Sequence, residues 1–94
     1  MIEILVFTQD GCRYCGPTKL FLSEQEAVLE NVKFKYVHLS DMTEGARNTY
    51  KDKYRLMSAP TIIFFRNEHE MARTSGPTAI EEFEDALEYA RTAK

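Results

Sequence analysis

The chain predicts an α/β fold of order β-α-β-α-β-β-α, with a mixed four-stranded sheet flanked by helices. Three observations carry that expectation. Short apolar runs at residues 2–7, 32–39 and 61–65 have the length and the Ile, Val and Phe content of strands. Segments of helical spacing separate them. Late in the chain a turn, Asn67-Glu68-His69, is followed by a short second run that ends at Gly76-Pro77.

The elements follow in order. The first run, Ile2 to Phe7, alternates only loosely and is followed by Gly11, which suits a buried strand. From residue 11 to about residue 29 the composition turns helical. Phe21, Val28 and Val32 are expected on one face, and Pro17 is expected to kink the helix or mark its first turn. Asn31 reads as a stop. Residues 32–39 alternate and read as the second strand. Asp41 with Glu44 three later resembles a capping box. Ala46, Tyr50, Tyr54 and Met57 then follow at helical spacing, so a helix is expected from residue 43 to residue 55. Ser58-Ala59-Pro60 breaks it. Residues 61–65 form the strongest strand, a continuous apolar run of the kind covered on both faces. A return strand is expected over residues 71–75. Thr78 with Glu81 makes a second capping box, and Ile80, Phe83, Leu87 and Ala90 form the stripe of the last helix. Two β-α-β connections imply parallel pairing, and the hairpin adds an antiparallel edge.

The 94 residues are expected to form one domain over residues 1–94. A chain of that size buries roughly 60–70% of its unfolded surface, enough for a core without staples. The net charge is −3, with no basic block. No nucleic-acid or membrane partner is therefore expected. The N-terminal apolar run is shorter than a signal-peptide core and nothing approaches a membrane span, so a cytoplasmic protein and a monomer are expected.

Chemistry points to one place. Cys12 and Cys15 are the only cysteines, two residues apart, at a strand-to-helix turn. In a reducing compartment such a pair reads as redox or metal chemistry. At a helix N-terminus, unpaired amides and the macrodipole favour a thiolate at Cys12. Arg13 pushes the same way and Asp10 pushes back. Cys15, one turn on, is placed to attack a mixed disulfide formed at Cys12. A structural disulfide would close too short a loop to gain much. A zinc half-site would need His38 and His69, which are far apart in sequence. Two buried cysteines without a role are the third alternative. His38 reads as a strand residue facing solvent or satisfied in the core, and His69 as a solvated turn residue. Glu81, Glu82, Glu84, Asp85 and Glu88 read as a solvated helix face.

The stretch Phe7-Thr8-Gln9-Asp10-Gly11-Cys12-Arg13-Tyr14-Cys15 resembles the active-site turn of thioredoxin-fold redoxins. It is similar to glutaredoxins in Tyr14 and to NrdH-type redoxins in Thr18-Lys19. Met57-Ser58-Ala59-Pro60-Thr61 resembles the segment around the family's cis-proline, and Ser75-Gly76 the glycine before the last helix. The resemblance implies a thioredoxin-like fold with Cys12 and Cys15 as catalytic residues. It further implies a substrate groove formed by Gly11, Arg13, Tyr14, Ala59, Pro60 and Gly76, and a cis bond before Pro60. The function it implies is a dithiol-disulfide oxidoreductase with no bound cofactor beyond its redox-active disulfide. Its partners would be disulfide-bearing proteins, ribonucleotide reductase among the candidates, and thioredoxin reductase or glutathione would supply electrons. Val6 stands where thioredoxins carry a buried aspartate. Gln9-Asp10 and Ser75-Gly76-Pro77-Thr78 depart from the stretches by which glutaredoxins hold glutathione. A glutathione-dependent glutaredoxin and a redox-inactive binding module are the alternatives.

Overall fold

The computed structural model describes residues 1–93. Its elements are β1 (Ile2–Thr8), α1 (Cys15–Val28), β2 (Val32–His38), α2 (Glu44–Tyr54), β3 (Thr61–Arg66), β4 (His69–Ser75) and α3 (Phe83–Thr92). Short 3-10 turns at Leu39–Asp41 and Gly76–Thr78 precede the last two helices. The order is the expected one, and the sheet runs β2-β1-β3-β4.

Strand alternation divides the interior into two cores. Ile2, Ile4 and Val6 of β1, with Ile62 and Phe64 of β3, face α1 and α3, where Leu22, Phe83, Leu87 and Ala90 meet them. Phe7 and Ile63 point to the other side and pack with Val37, Leu39, Tyr50, Tyr54 and Leu56. β3 is continuous in apolar residues because both of its faces are covered.

One pairing departs from expectation. β1 and β2 are parallel, but β3 runs antiparallel to β1. Thr8 pairs with His38 and Phe7 with Thr61, so β2 ends and β3 begins at the same edge of the sheet. A connecting helix gives parallel strands only when it carries the chain back to the opposite edge. Here α2 leaves from and returns to one edge, turning through Arg55 in the left-handed region (φ 53°).

The helix ends also differ from the expected caps. α2 is capped by the Thr43 hydroxyl, which accepts from the Ala46 amide at 3.2 Å, while Asp41 closes the 3-10 turn before it. Thr78 does not cap with Glu81. Its hydroxyl donates to Glu82 at 2.9 Å, and α3 starts only at Phe83. The buried stripe of α1 is Cys15, Thr18 and Leu22, and Val28 is exposed. No α2 residue is fully buried, and Met57 beyond it is 96% exposed. An open groove of about 490 Å³ remains between α2 and the sheet, and no dithiol residue lines it.

Side chains tie the layers together. Asn67 and Glu68 both take positive φ, as a two-residue hairpin turn between right-twisted strands requires. The Arg66 guanidinium donates to the carbonyls of Ala90, Arg91 and Ala93, satisfying the end of α3. The Tyr36 hydroxyl donates to Glu26 at 3.3 Å, joining β2 to α1. Burial, then the charge and hydrogen bond of Glu26, pushes Tyr36 up to about 12. Folding therefore favours the neutral phenol. The contribution is present below the ordinary value of 10.0 and is lost as pH rises toward 12. A site-resolved titration of the Tyr36 phenol should place its midpoint well above 10.0, and Glu26→Gln should lower it. A Tyr36 midpoint at the ordinary value would contradict this.

Candidate active site

The chemistry-bearing residues gather at one edge of the sheet. β1 and β2 end there at Thr8 and His38, β3 starts there at Thr61, and β4 ends there at Ser75. In α/β sheets this edge, beyond the carboxyl ends of parallel strands, is where loops are free to carry function.

Cys12 and Cys15 form a disulfide, with Cα atoms 5.4 Å apart. The helix begins at Cys15, with Tyr14 as its N-cap, so Cys12 precedes the helix instead of occupying its first turn. The first helical bond runs from the Thr18 amide to the Tyr14 carbonyl at 3.1 Å. Pro17 is therefore the third helical residue, where an amide is not needed, and it starts the helix without kinking it. Gly11 turns the chain into the dithiol at φ +71°, a region that favours glycine. Cys12 is half-buried and Cys15 is only 6% exposed. That asymmetry gives an incoming disulfide one sulfur to reach.

Arg13 and Tyr14 are exposed beside the pair, the Arg13 guanidinium 5.7 Å from the Tyr14 ring centre. Across the edge, the Ala59–Pro60 bond is cis and Pro60 is buried. The Thr61 hydroxyl donates to the Ser58 carbonyl at 2.6 Å, and the Gly76 amide donates to the Pro60 carbonyl at 2.9 Å. Gly76 takes φ +65°, and a Cβ there would meet nothing within 4 Å. What demands glycine in the free chain is therefore the backbone angle, not crowding. Met57 and Ser58 also line a small cleft of about 120 Å³ with Gln9, Leu39, Lys51 and Leu56.

Beneath the dithiol the interior is apolar. Val6 is fully buried among Leu22 and Ile62. Thr18, one turn after Cys15, is 1% exposed and its hydroxyl has no hydrogen-bond partner among the described residues. A buried donor without an acceptor lowers stability. Thr18→Val should stabilise the protein by about 1 kcal/mol, read as a melting temperature roughly 4–8 °C higher. A lower melting temperature would show that the hydroxyl is satisfied in solution.

His38 is neither a free strand residue nor a core one. Its Nδ1 meets the Thr8 hydroxyl at 2.8 Å and its Nε2 meets Asp10 Oδ1 at 2.9 Å. The Asp10 amide donates to the Ser40 hydroxyl at 2.8 Å. These contacts depend on β1 and β2 ending in register, which only the folded sheet reveals. His69 is an exposed residue at the start of β4. Among the described residues, no group of three or more His, Cys, Asp or Glu comes together as a metal site. Among them, too, no helix is long and apolar enough to cross a membrane.

Comparison with known proteins agrees with this geometry. A family model described as a thioredoxin-like domain matches residues 3–91. Thioredoxin f2 of Chlamydomonas reinhardtii superposes with a TM-score of 0.77 at 19% identity, covering 99% of this chain and 81% of that one. Thioredoxin O2 of Arabidopsis thaliana, in its oxidized state, gives 0.75 at 19% identity over 100% and 76%. Thioredoxin-2 of the malaria parasite, a component of protein secretion machinery, gives 0.75 at 19% over 94% and 82%. At these identities the structures speak to the fold. The search of curated proteins finds no match.

Proposed function

The chain belongs to the thioredoxin-like family, and from that membership and the geometry of its dithiol we propose that it is a thiol-disulfide oxidoreductase that reduces disulfides in protein partners. The observation that carries the reading is the pair itself: a Cys12–Cys15 disulfide at the carboxyl edge of the sheet, with Cys12 accessible and Cys15 buried.

The cycle follows from thiol chemistry. The reduced Cys12 thiolate attacks one sulfur of the partner disulfide. A Cys12–partner bond forms, the partner's own S–S bond breaks, and one partner thiolate leaves and takes a proton. The Cys15 thiolate then attacks the Cys12 sulfur. The Cys12–Cys15 bond forms and the second partner thiol is released. Two electrons pass to the partner and the chain is left oxidised. A reductase or two thiols of glutathione would restore the dithiol. The partner chain would lie along Met57-Ser58-Ala59 and pair with the Ala59 backbone by strand addition. The groove would be completed by Gly11, Arg13, Tyr14, Pro60 and Gly76. Within this reading a cytoplasmic setting follows, because a reducing compartment keeps such a dithiol in its working form.

Thioredoxin reductase is the electron source we favour over glutathione, because Gln9-Asp10 and Ser75-Gly76-Pro77-Thr78 lack the features by which glutaredoxins hold glutathione. Ribonucleotide reductase is the proposed partner only so far as the NrdH-like Thr18-Lys19 and Ser75-Gly76 suggest it. The test is disulfide reduction assayed in parallel with NADPH and thioredoxin reductase, and with glutathione and its reductase. Turnover with the first alone supports the reading. Turnover with glutathione alone would make the protein a glutaredoxin. No turnover with either would leave a thioredoxin-like binding module.

A further inference from the structure

The loop that carries the dithiol is clamped to β2 and the turn after it. Asp10, two residues before Cys12, is held twice: its amide donates to Ser40 and its carboxylate meets His38 Nε2 at 2.9 Å. An ionised carboxylate only accepts, so Nε2 carries a proton. In the neutral ring Nδ1 is then an acceptor, and the Thr8 hydroxyl, 3% exposed, donates to it at 2.8 Å. Both ring nitrogens are therefore committed, and the imidazole is fixed between strand end and loop.

What this does to the chemistry follows from position. Two residues span at most about 7 Å between Cα atoms. That tether lets a freely rotating Asp10 side chain approach Cys12, and a carboxylate brought near a thiol disfavours the thiolate. Asp10 is otherwise 83% exposed and would be free to swing. We propose that His38 is a positioning residue for the Cys12 thiolate: through Nε2 it holds the Asp10 carboxylate against β2, and so lets Cys12 ionise at a lower pH than an unrestrained Asp10 would permit. This rests on the reading of Cys12 as the attacking sulfur. Other charged groups on the surrounding elements include Arg13 in the loop itself, Lys19 and Glu26 of α1, Lys35 of β2, Asp41 in the turn after His38, and Arg47 and Lys51 of α2, the last lining a cleft with Gln9. Arg47 is already engaged with the carbonyls of Leu39 and Met42, and Glu26 with Tyr36.

The test titrates Cys12 alone. In a Cys15→Ser background it is the sole thiol, and its alkylation rate against pH reports its ionisation. His38→Ala should raise the midpoint by about half a pH unit, roughly a threefold loss of thiolate below the midpoint. His38→Gln, which keeps an amide donor for Asp10, should stay near the parent. Asp10→Asn should lower the midpoint and make His38→Ala silent. An unmoved midpoint in His38→Ala, or an equal shift with Asn at position 10, overturns the proposal. Should His38→Ala fail to fold, His38→Leu decides, since an unmoved midpoint there shows that losing the Nε2 contact with Asp10 leaves Cys12 as it was. No substrate enters these titrations. A protein that shows this pattern yet reduces no disulfide would lose the proposed function and keep the positioning role.

Discussion

Cys12→Ser should abolish disulfide reduction, and Cys15→Ser should arrest it one step later. The two thiols are chemically identical and differ only in placement. Cys15 is 6% exposed in the first turn of α1, while Cys12 stands half-buried in the loop before it. A bulky partner disulfide can therefore reach only Cys12. Serine at 12 removes the nucleophile, because a hydroxyl at neutral pH is not ionised enough to attack sulfur. Turnover should fall to the uncatalysed background. Serine at 15 leaves the first attack intact and removes the resolving thiol. The product should be a stable mixed disulfide, one partner per chain, visible on a non-reducing gel and released by dithiothreitol. The same asymmetry predicts that the reduced wild-type protein takes up one equivalent of a large alkylating reagent quickly and the second slowly. Full turnover by Cys12→Ser, or equal trapping by both variants, would reverse the assigned roles.

The dithiol, the proline break and the element order were legible in the sequence because each is local. A C-x-x-C after an apolar strand, and an Ala-Pro before one, are patterns of adjacent residues. What the sequence could not carry was long-range. The antiparallel run of β3 depends on where α2 lets the chain re-enter the sheet, and helical spacing says nothing about that. The start of α1 at Cys15 is hidden in the sequence for a different reason. Gly11 and the composition after it suit a helix, but a disulfide between residues three apart shares the turn with Gly11 at φ +71° and delays the first helical bond to Thr18. The part His38 plays is hidden in the sequence because its partners Thr8 and Asp10 lie 30 and 28 residues away. Only the register that pairs Thr8 with His38 brings them together. Met57 was expected to continue the spacing of Ala46, Tyr50 and Tyr54, yet it lies past the left-handed Arg55, where the helical phase no longer applies.

Phe83→Ala should be among the most destabilising single changes in the molecule while leaving the folded site nearly as it is. Phe83 opens α3 fully buried, with the Phe21 ring of α1 at 5.3 Å and the Phe64 ring of β3 at 5.4 Å. It is therefore the residue through which α3, α1 and the sheet meet. Truncating a buried Phe costs about 3–5 kcal/mol, from lost transfer energy and the cavity left behind. Two aromatic neighbours place this case toward the upper end. A domain of this kind has only about 5–15 kcal/mol in total. The urea midpoint should drop by roughly 2 M or more, since a small protein loses about 1–3 kcal/mol per molar urea. Leu20→Ala, on the same helix as Phe21 but 66% exposed, is the control and should move stability by no more than about 0.5 kcal/mol. The effect on chemistry should follow the folded fraction. At a temperature where Phe83→Ala is still folded, Cys12 should alkylate at nearly the parent rate, because contacts among Thr8, Asp10, His38 and Ser40, none of which involves Phe83, hold the dithiol loop to the ends of β1 and β2. A midpoint shift no larger than that of Leu20→Ala would show that this aromatic cluster does not hold α1 and α3 to the sheet.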